Sequence, residues 1–221
     1  FDLTKVTGRA PDRLTAGDVT GPLRVPLNLF NIGNSIGEGA AAYDDIGAIH
    51  HEAVWSTGFD PTDIVYTLNE HFEEVDPTGY YENDATRDNI FNQAMEGDEM
   101  VDFETQANAV VANAGQTPSA TAGMVAVFLG NNDVCTEDVG TMTDLVTFEE
   151  HYSAGLDVLA ASAATKNAVI HVSGIPALYW LWIAKRDNFL CRVFIWPFVP
   201  CRELLESPSN DCGSGNSALD P

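Results

Sequence analysis

The segment that most narrows the possible folds is Met124-Val125-Ala126-Val127-Phe128-Leu129, an unbroken apolar run bounded by Gly123 and Gly130. It is too short for a core helix and rich in β-branched residues. It therefore reads as a strand covered on both faces, as strands of parallel sheets are. Leu23 to Ile32 and Ala168 to Val172 behave similarly, the second expected to be buried, and Asn89 to Ala94 reads as a further strand. Helical spacing marks Glu99 to Ala112, through Val101, Gln106, Ala109 and Val110, and Thr143 to Ala164, through Phe148, Tyr152, Leu156 and Leu159. Shorter helices are expected over Ala40 to Val54 and Ile64 to His71. The rest of Trp55 to Asp88 reads as loop, with turns at Asp60-Pro61 and Asp76-Pro77-Thr78-Gly79, and residues 1–22 as a polar surface arm. Alternating strands and helices predict an α/β fold, a mainly parallel sheet with helices on both faces, in a single domain over 1–221.

Charge limits the partners. The chain has 33 acidic and 10 basic side chains, a net charge of −23, which disfavours nucleic acid and anionic membranes. A hydrophobic content of 45% supports a packed core rather than disorder. No apolar run approaches the roughly 18 residues of a membrane-spanning helix. Phe1 reads as a processed start, since neither an initiator Met nor a leader pattern opens the chain. The cysteines, at 135, 191, 201 and 212, lack the paired spacing of a zinc site and suit two disulfides in a secreted, extracellular protein. Three pairings are possible, and a Cys191–Cys201 bridge closing a short loop is preferred.

Three unusual segments follow the strands, where α/β sheets bind ligands. In Gly33-Asn34-Ser35-Ile36-Gly37, a serine on a tight turn between strand and helix can expose its hydroxyl and offer its own N–H. A helix N-terminus behind it favours developing negative charge. Ser35 is thus a candidate nucleophile, or else a helix N-cap. The string also matches the α/β-hydrolase nucleophile elbow, although that fold places more strands before it. In Gly130-Asn131-Asn132-Asp133, side-chain amides end a buried strand. An amide aimed at an oxyanion contributes roughly 2.7–4 kcal/mol of transition-state stabilisation. The alternative is a turn whose side chains satisfy their own backbone.

Taken together, Gly33-Asn34-Ser35-Ile36 and Gly130-Asn131-Asn132-Asp133 resemble blocks I and III of the SGNH (GDSL-type) esterase and lipase family. Asn92-Gln93-Ala94-Met95-Glu96-Gly97, with Asp102-Phe103 and Gln106-Ala107 after it, resembles block II. The likeness spans roughly residues 23–180, and Gly130 to Cys135 is similar to the phospholipase-B-like branch. It implies a three-layer α/β/α, flavodoxin-like sandwich and a carboxylic ester hydrolase working through an acyl-enzyme. Ser35 would be the nucleophile. The Ser35 N–H, the Gly97 N–H and the Asn132 amide would form the oxyanion hole, with glycine at 97 keeping space for the carbonyl. Asp133 would brace its turn.

Asn34 stands where the family carries aspartate, and the family's basic Asp-x-x-His string does not occur. The resemblance therefore implies a C-terminal segment of the same protein, past Pro221 or cleaved within the loop 207–217, supplying that motif. None of the five histidines reads as the base. His50 and His51 lie about four helical turns beyond Ser35. His71 and His151 read as solvent-facing, and His171 as a structural histidine in a buried strand. The aromatic stretch from Tyr179 to Phe198 reads as core packing or an acyl pocket. The acidic clusters Glu73-Glu74-Asp76 and Asp133-Glu137-Asp138 read as solvated surface rather than calcium sites. No cofactor or metal is implied; the expected partner is a small-molecule or lipid ester. The alternative is a non-catalytic α/β binding module.

Overall fold

Strands β1 (Leu29–Gly33), β2 (Met124–Phe128) and β3 (Val169–Val172) form a parallel sheet in the order β1-β2-β3. The structure, a computed structural model, describes residues 25–40, 42–43, 48–77, 90–136 and 139–175. Leu29 lies opposite Met124, and Met124 opposite Val169. Residues 90–95 run along the other edge of β1. There Asn31 N–H donates to Phe91 O (2.7 Å), Gln93 N–H to Asn31 O (2.9 Å) and Met95 N–H to Gly33 O (3.2 Å). Only Asn31–Asn92 completes a regular parallel bridge. The expected strand over Asn89 to Ala94 is thus an extended edge segment, with residue 89 outside the described residues.

After β1 the chain pairs on one side of that strand, then crosses to pair on the other as β2. The connections leaving β1 and β2 therefore run to opposite sides, the arrangement beside which open α/β sheets bind ligands.

Pleating divides the side chains between two faces. Phe30, Ile32, Val125 and Val127 pack with Phe103, Ala107 and Val110 of α3 (Phe103–Ala114) and Leu159 of α5 (Leu145–Ala161). Leu29 and Ala126 face the other way, onto Trp55 and onto Leu68 and Phe72 of α2 (Leu68–Val75). Gly155 lets α5 approach α3, since a Cβ there would fall 2.3 Å from the Phe103 ring. Asp144 starts α5 by accepting from the N–H groups of Val146 (3.0 Å) and Thr147 (3.1 Å). These contacts make the described residues an α/β arrangement. No helix among them is long and apolar enough to cross a membrane.

Three local expectations need correction. The helix expected over Ala40 to Val54 does not form among the described residues there. Gly39, in the left-handed region at φ +93°, reverses the chain, Ala40 bridges Ile49 antiparallel, and only a 3-10 turn at His51–Ala53 follows. The helix placed over Ile64 to His71 is α2, which begins later because Thr67 and Glu70 form a capping box. Finally, β3 is not buried. Val169 is 62% and Val172 43% exposed, and His171 is exposed beside Trp55, with ring centroids 6.4 Å apart.

Candidate active site

Ser35 opens α1 (Ser35–Glu38), a single turn directly after β1. The N-cap is Asn34, whose Oδ1 accepts from Ile36 N–H at 3.1 Å, so Ser35 is not the capping residue. The Ser35 side chain is half-buried, and its hydroxyl and N–H bond to no group among the described residues. One helical turn aligns few peptide dipoles, so the macrodipole contributes less here than the sequence suggested.

Close packing holds the serine turn in place. A Cβ on Gly33 would lie 3.2 Å from Phe128 O, and one on Gly37 would lie 3.0 Å from Ala94 Cβ. The two glycines thus allow the 90–95 segment to press against the turn. Asn31 Nδ2 donates to Gly37 O and Asn92 Oδ1, both at 2.9 Å, and Asn92 Nδ2 donates to Gly37 O at 3.1 Å. This pair of asparagines ties the end of α1 to the neighbouring segment.

Gly97 lies in the turn after that segment at φ +88°, and its N–H donates to no group among the described residues. A Cβ there would meet nothing within 4 Å. Left-handed backbone, rather than crowding by the protein, is therefore the reason for glycine at this position. Asn132, in the one-turn helix α4 (Asn131–Val134), donates through Nδ2 to Asp98 O at 2.8 Å. That bond orients the amide and leaves its second N–H uncommitted among the described residues. Asp133 is buried; its Oδ2 accepts from Met100 N–H (2.7 Å) and its carbonyl from Thr143 N–H (3.1 Å). It braces the turn as expected.

Gln106 links these turns. On the buried face of α3, its Oε1 accepts from Gly33 N–H and its Nε2 donates to Gly33 O, both at 2.8 Å. The same Nε2 donates to Asp98 Oδ2 at 2.6 Å. Burial raises the Asp98 carboxyl above its ordinary range against the lowering bond from Gln106, and repulsion from Asp102 and Glu38 adds to the rise. Glu99 is raised by burial, then by Asp133 and Asp102. Glu38 Oε2 accepts from Glu96 N–H at 2.6 Å, beside Gly97. The sequence placed Gln106 by helical spacing and within the block II resemblance, without a role; a polar residue at a core-facing position was the available signal for one. Nothing in the pattern marked Asp98 or Glu38.

The Ser35, Gly97 and Asn132 turns therefore converge at one end of the sheet, through Gly33, Gln106 and Asp98. No histidine joins them by hydrogen bond among the described residues. The backbone of His50 does come close, donating to Gly39 O at 3.0 Å after the chain reversal, but its Nδ1 pairs with Glu52 Oε1 at 3.0 Å and its ring packs on Tyr43. His71 is exposed against Tyr66, whereas His151 is half-buried with Nδ1 unsatisfied, contrary to its solvent-facing expectation. An open cleft of about 600 Å³ lies elsewhere, between Phe59–Tyr66 and α2, and none of Ser35, Gly97 and Asn132 lines it.

Cys135 is disulfide-bonded. The Cys191–Cys201 pairing, the N-terminal arm, the 179–198 aromatic stretch and the 207–217 loop lie outside the described residues. Among the described residues, no group of three or more His, Cys, Asp or Glu side chains is arranged to hold a metal ion. No known protein-family profile, curated protein or solved structure matches this chain.

Proposed function

We propose that this chain is a secreted serine ester hydrolase of the SGNH (GDSL) type, cleaving carboxylic esters through an acyl-enzyme. The observation that carries the reading is that three turns linked through Gly33, Gln106 and Asp98 each carry an uncommitted donor among the described residues, one of them with an uncommitted serine hydroxyl. The donors are the N–H groups of Ser35 and Gly97 and the second N–H of the Asn132 amide, all on turns at the carboxyl end of the sheet. Such preorganised donors favour charge that develops on a carbonyl oxygen. The side-to-side crossing of the chain around β1, with helices packed on each face, is consistent with a flavodoxin-like, three-layer sandwich.

In the proposed reaction Ser35 Oγ attacks the ester carbonyl carbon and its proton passes to a general base. The alcohol leaves with that proton as the C–O bond breaks. Water then attacks the acyl-enzyme, releasing the carboxylic acid and restoring the Ser35 hydroxyl. In the family this base is the histidine of Asp-x-x-His, a contribution of about 10²–10⁴ in rate. Ser35 has no such partner among the described residues, and this favours the second reading, a non-catalytic binding module.

Intact mass after treatment with a fluorophosphonate tests the choice. The enzyme reading expects one adduct on the native protein and none on Ser35→Ala, with both variants giving the same circular dichroism. An unlabelled native protein that turns over no ester leaves the binding module.

A further inference from the structure

The cleft of about 600 Å³ between Phe59–Tyr66 and α2 stands apart from the Ser35, Gly97 and Asn132 turns and has the size of a small-molecule site. Phe59, Val65 and Tyr66 give it apolar and aromatic surface, and Ile64, which also lines it, is 93% exposed. Bonds within this part of the chain fix its walls. Tyr66 OH donates to Glu74, joining the loop to α2, and Tyr43 OH donates to Asp63. Asp63 Oδ1 accepts from Val65 N–H at 2.8 Å, while Leu68 and Asn69 N–H donate to Trp55 O and Ser56 O, both at 2.9 Å. A cavity tied in this way is formed before a ligand arrives, which lowers the ordering cost of binding.

One carboxylate on the wall differs from a solvated surface acid. Glu70 lines the cleft yet is only 7% exposed. Its Oε1 accepts from Asp60 N–H (3.2 Å) and its Oε2 from Thr67 N–H (2.7 Å), and no cation pairs with it among the described residues. A carboxylate has about four acceptor sites, so roughly half of those on Glu70 remain open to further donors. A buried negative charge in that condition favours a positive donor at the same wall. Asp60, Asp63 and Glu74 also line the opening, and the Thr62 hydroxyl and N–H hold the Asp60 carboxyl below its usual range. Carboxylate beside apolar and aromatic surface matches a molecule with an ammonium at one end and an apolar group at the other.

We propose that this cleft binds a small primary amine with an apolar or aromatic tail. The ammonium donates to Glu70, and the tail lies against Phe59, Val65 and Tyr66. The site is separate from the proposed esterase centre and does not depend on that reading.

Calorimetric titration of the full chain tests the assignment, at about 0.5 M NaCl so that unspecific attraction of cations to an acidic surface is screened. 2-Phenylethylamine should bind with a dissociation constant of about 1 mM or lower, within the bounds for a ligand of its size. Neutral 2-phenylethanol should bind about tenfold more weakly or worse, the usual loss when a charged hydrogen bond is replaced. Ethylamine, which has the charge without the tail, should also fall by about tenfold or more. Glu70→Gln keeps an acceptor for Thr67 N–H and should weaken 2-phenylethylamine by about tenfold with circular dichroism unchanged. Val65→Trp fills the cleft from a half-buried position and should abolish binding; it decides the matter if Glu70→Gln does not fold. No binding at about 10 mM amine, where a site of this size should be occupied, overturns the proposal. So does equal affinity for the amine and the alcohol, or amine binding that survives Val65→Trp.

Discussion

Asp98 carries two opposing demands in one side chain. Its Oδ2 accepts the Gln106 bond that steadies the serine turn, while burial and the neighbouring Asp102 and Glu38 penalise its charge. Because its folded pKa is raised, its ionisation costs stability. That cost is absent below the unfolded value of about 3.9 and sets in as pH rises through the higher folded value. Asp98→Asn keeps an acceptor for Gln106 and removes the charge. Its Tm relative to the native protein should therefore increase as pH is raised from 3 toward 7, measured by thermal melts across that range; a pH-independent difference would contradict the argument. At this scale the strand-end turns singled out Ser35 and the asparagine pair, while the choice of Gly97 and Asn132 as oxyanion donors came from the block resemblance. It named Gln106 but not its clamping role, because a glutamine at helical spacing looks the same whether it faces solvent or holds a backbone 73 residues away.

Among the elements, α2 shows how a cap decides a boundary. Thr67 Oγ1 accepts from Glu70 N–H (3.2 Å), Glu70 Oε2 accepts from Thr67 N–H (2.7 Å), and Thr67 Oγ1 also donates to the buried carbonyl of Gly58 (2.6 Å). Thr67→Ala should therefore cost about 1–2 kcal/mol in urea unfolding, toward the upper end of capping losses, because the buried Gly58 carbonyl also loses its shorter bond and keeps only that from Asn69 Nδ2 at 3.3 Å. Thr67→Ser should recover most of that. The strand β2 was legible because a short β-branched run between glycines has few other fates. The helix α5 was legible because Phe148, Tyr152, Leu156 and Leu159 recur at helical spacing. Ala40 to Val54 was not: its alanines favour helix, yet Gly39 turns the chain back and the antiparallel contact at Ala40 uses backbone groups a helix would need. For β3, an apolar run suggested burial, but among the described residues β3 pairs along one side only, with β2, and Val169, His171 and Val172 are exposed.

Over the whole molecule, a charge of −23 makes self-repulsion a standing cost of the compact state. Raising NaCl from 10 mM to 1 M shortens the screening length from roughly 30 to 3 Å. Tm should rise by roughly 4–8 °C, equivalent to about 2 kcal/mol for a chain this size. An unchanged Tm over that range would show that the carboxylates are already neutralised within the fold. Patterning alone established the α/β class, the parallel run of its strands and the turns on which the candidate groups sit, because periodicity and glycine placement are local properties of the chain. Only the tertiary structure decided that residues 90–95 and β2 take opposite sides of β1, and that Gly33, Gln106, Asp98 and Asn132 meet there. Sheet order and long-range hydrogen bonds join segments far apart in sequence, and nothing within either segment specifies its partner.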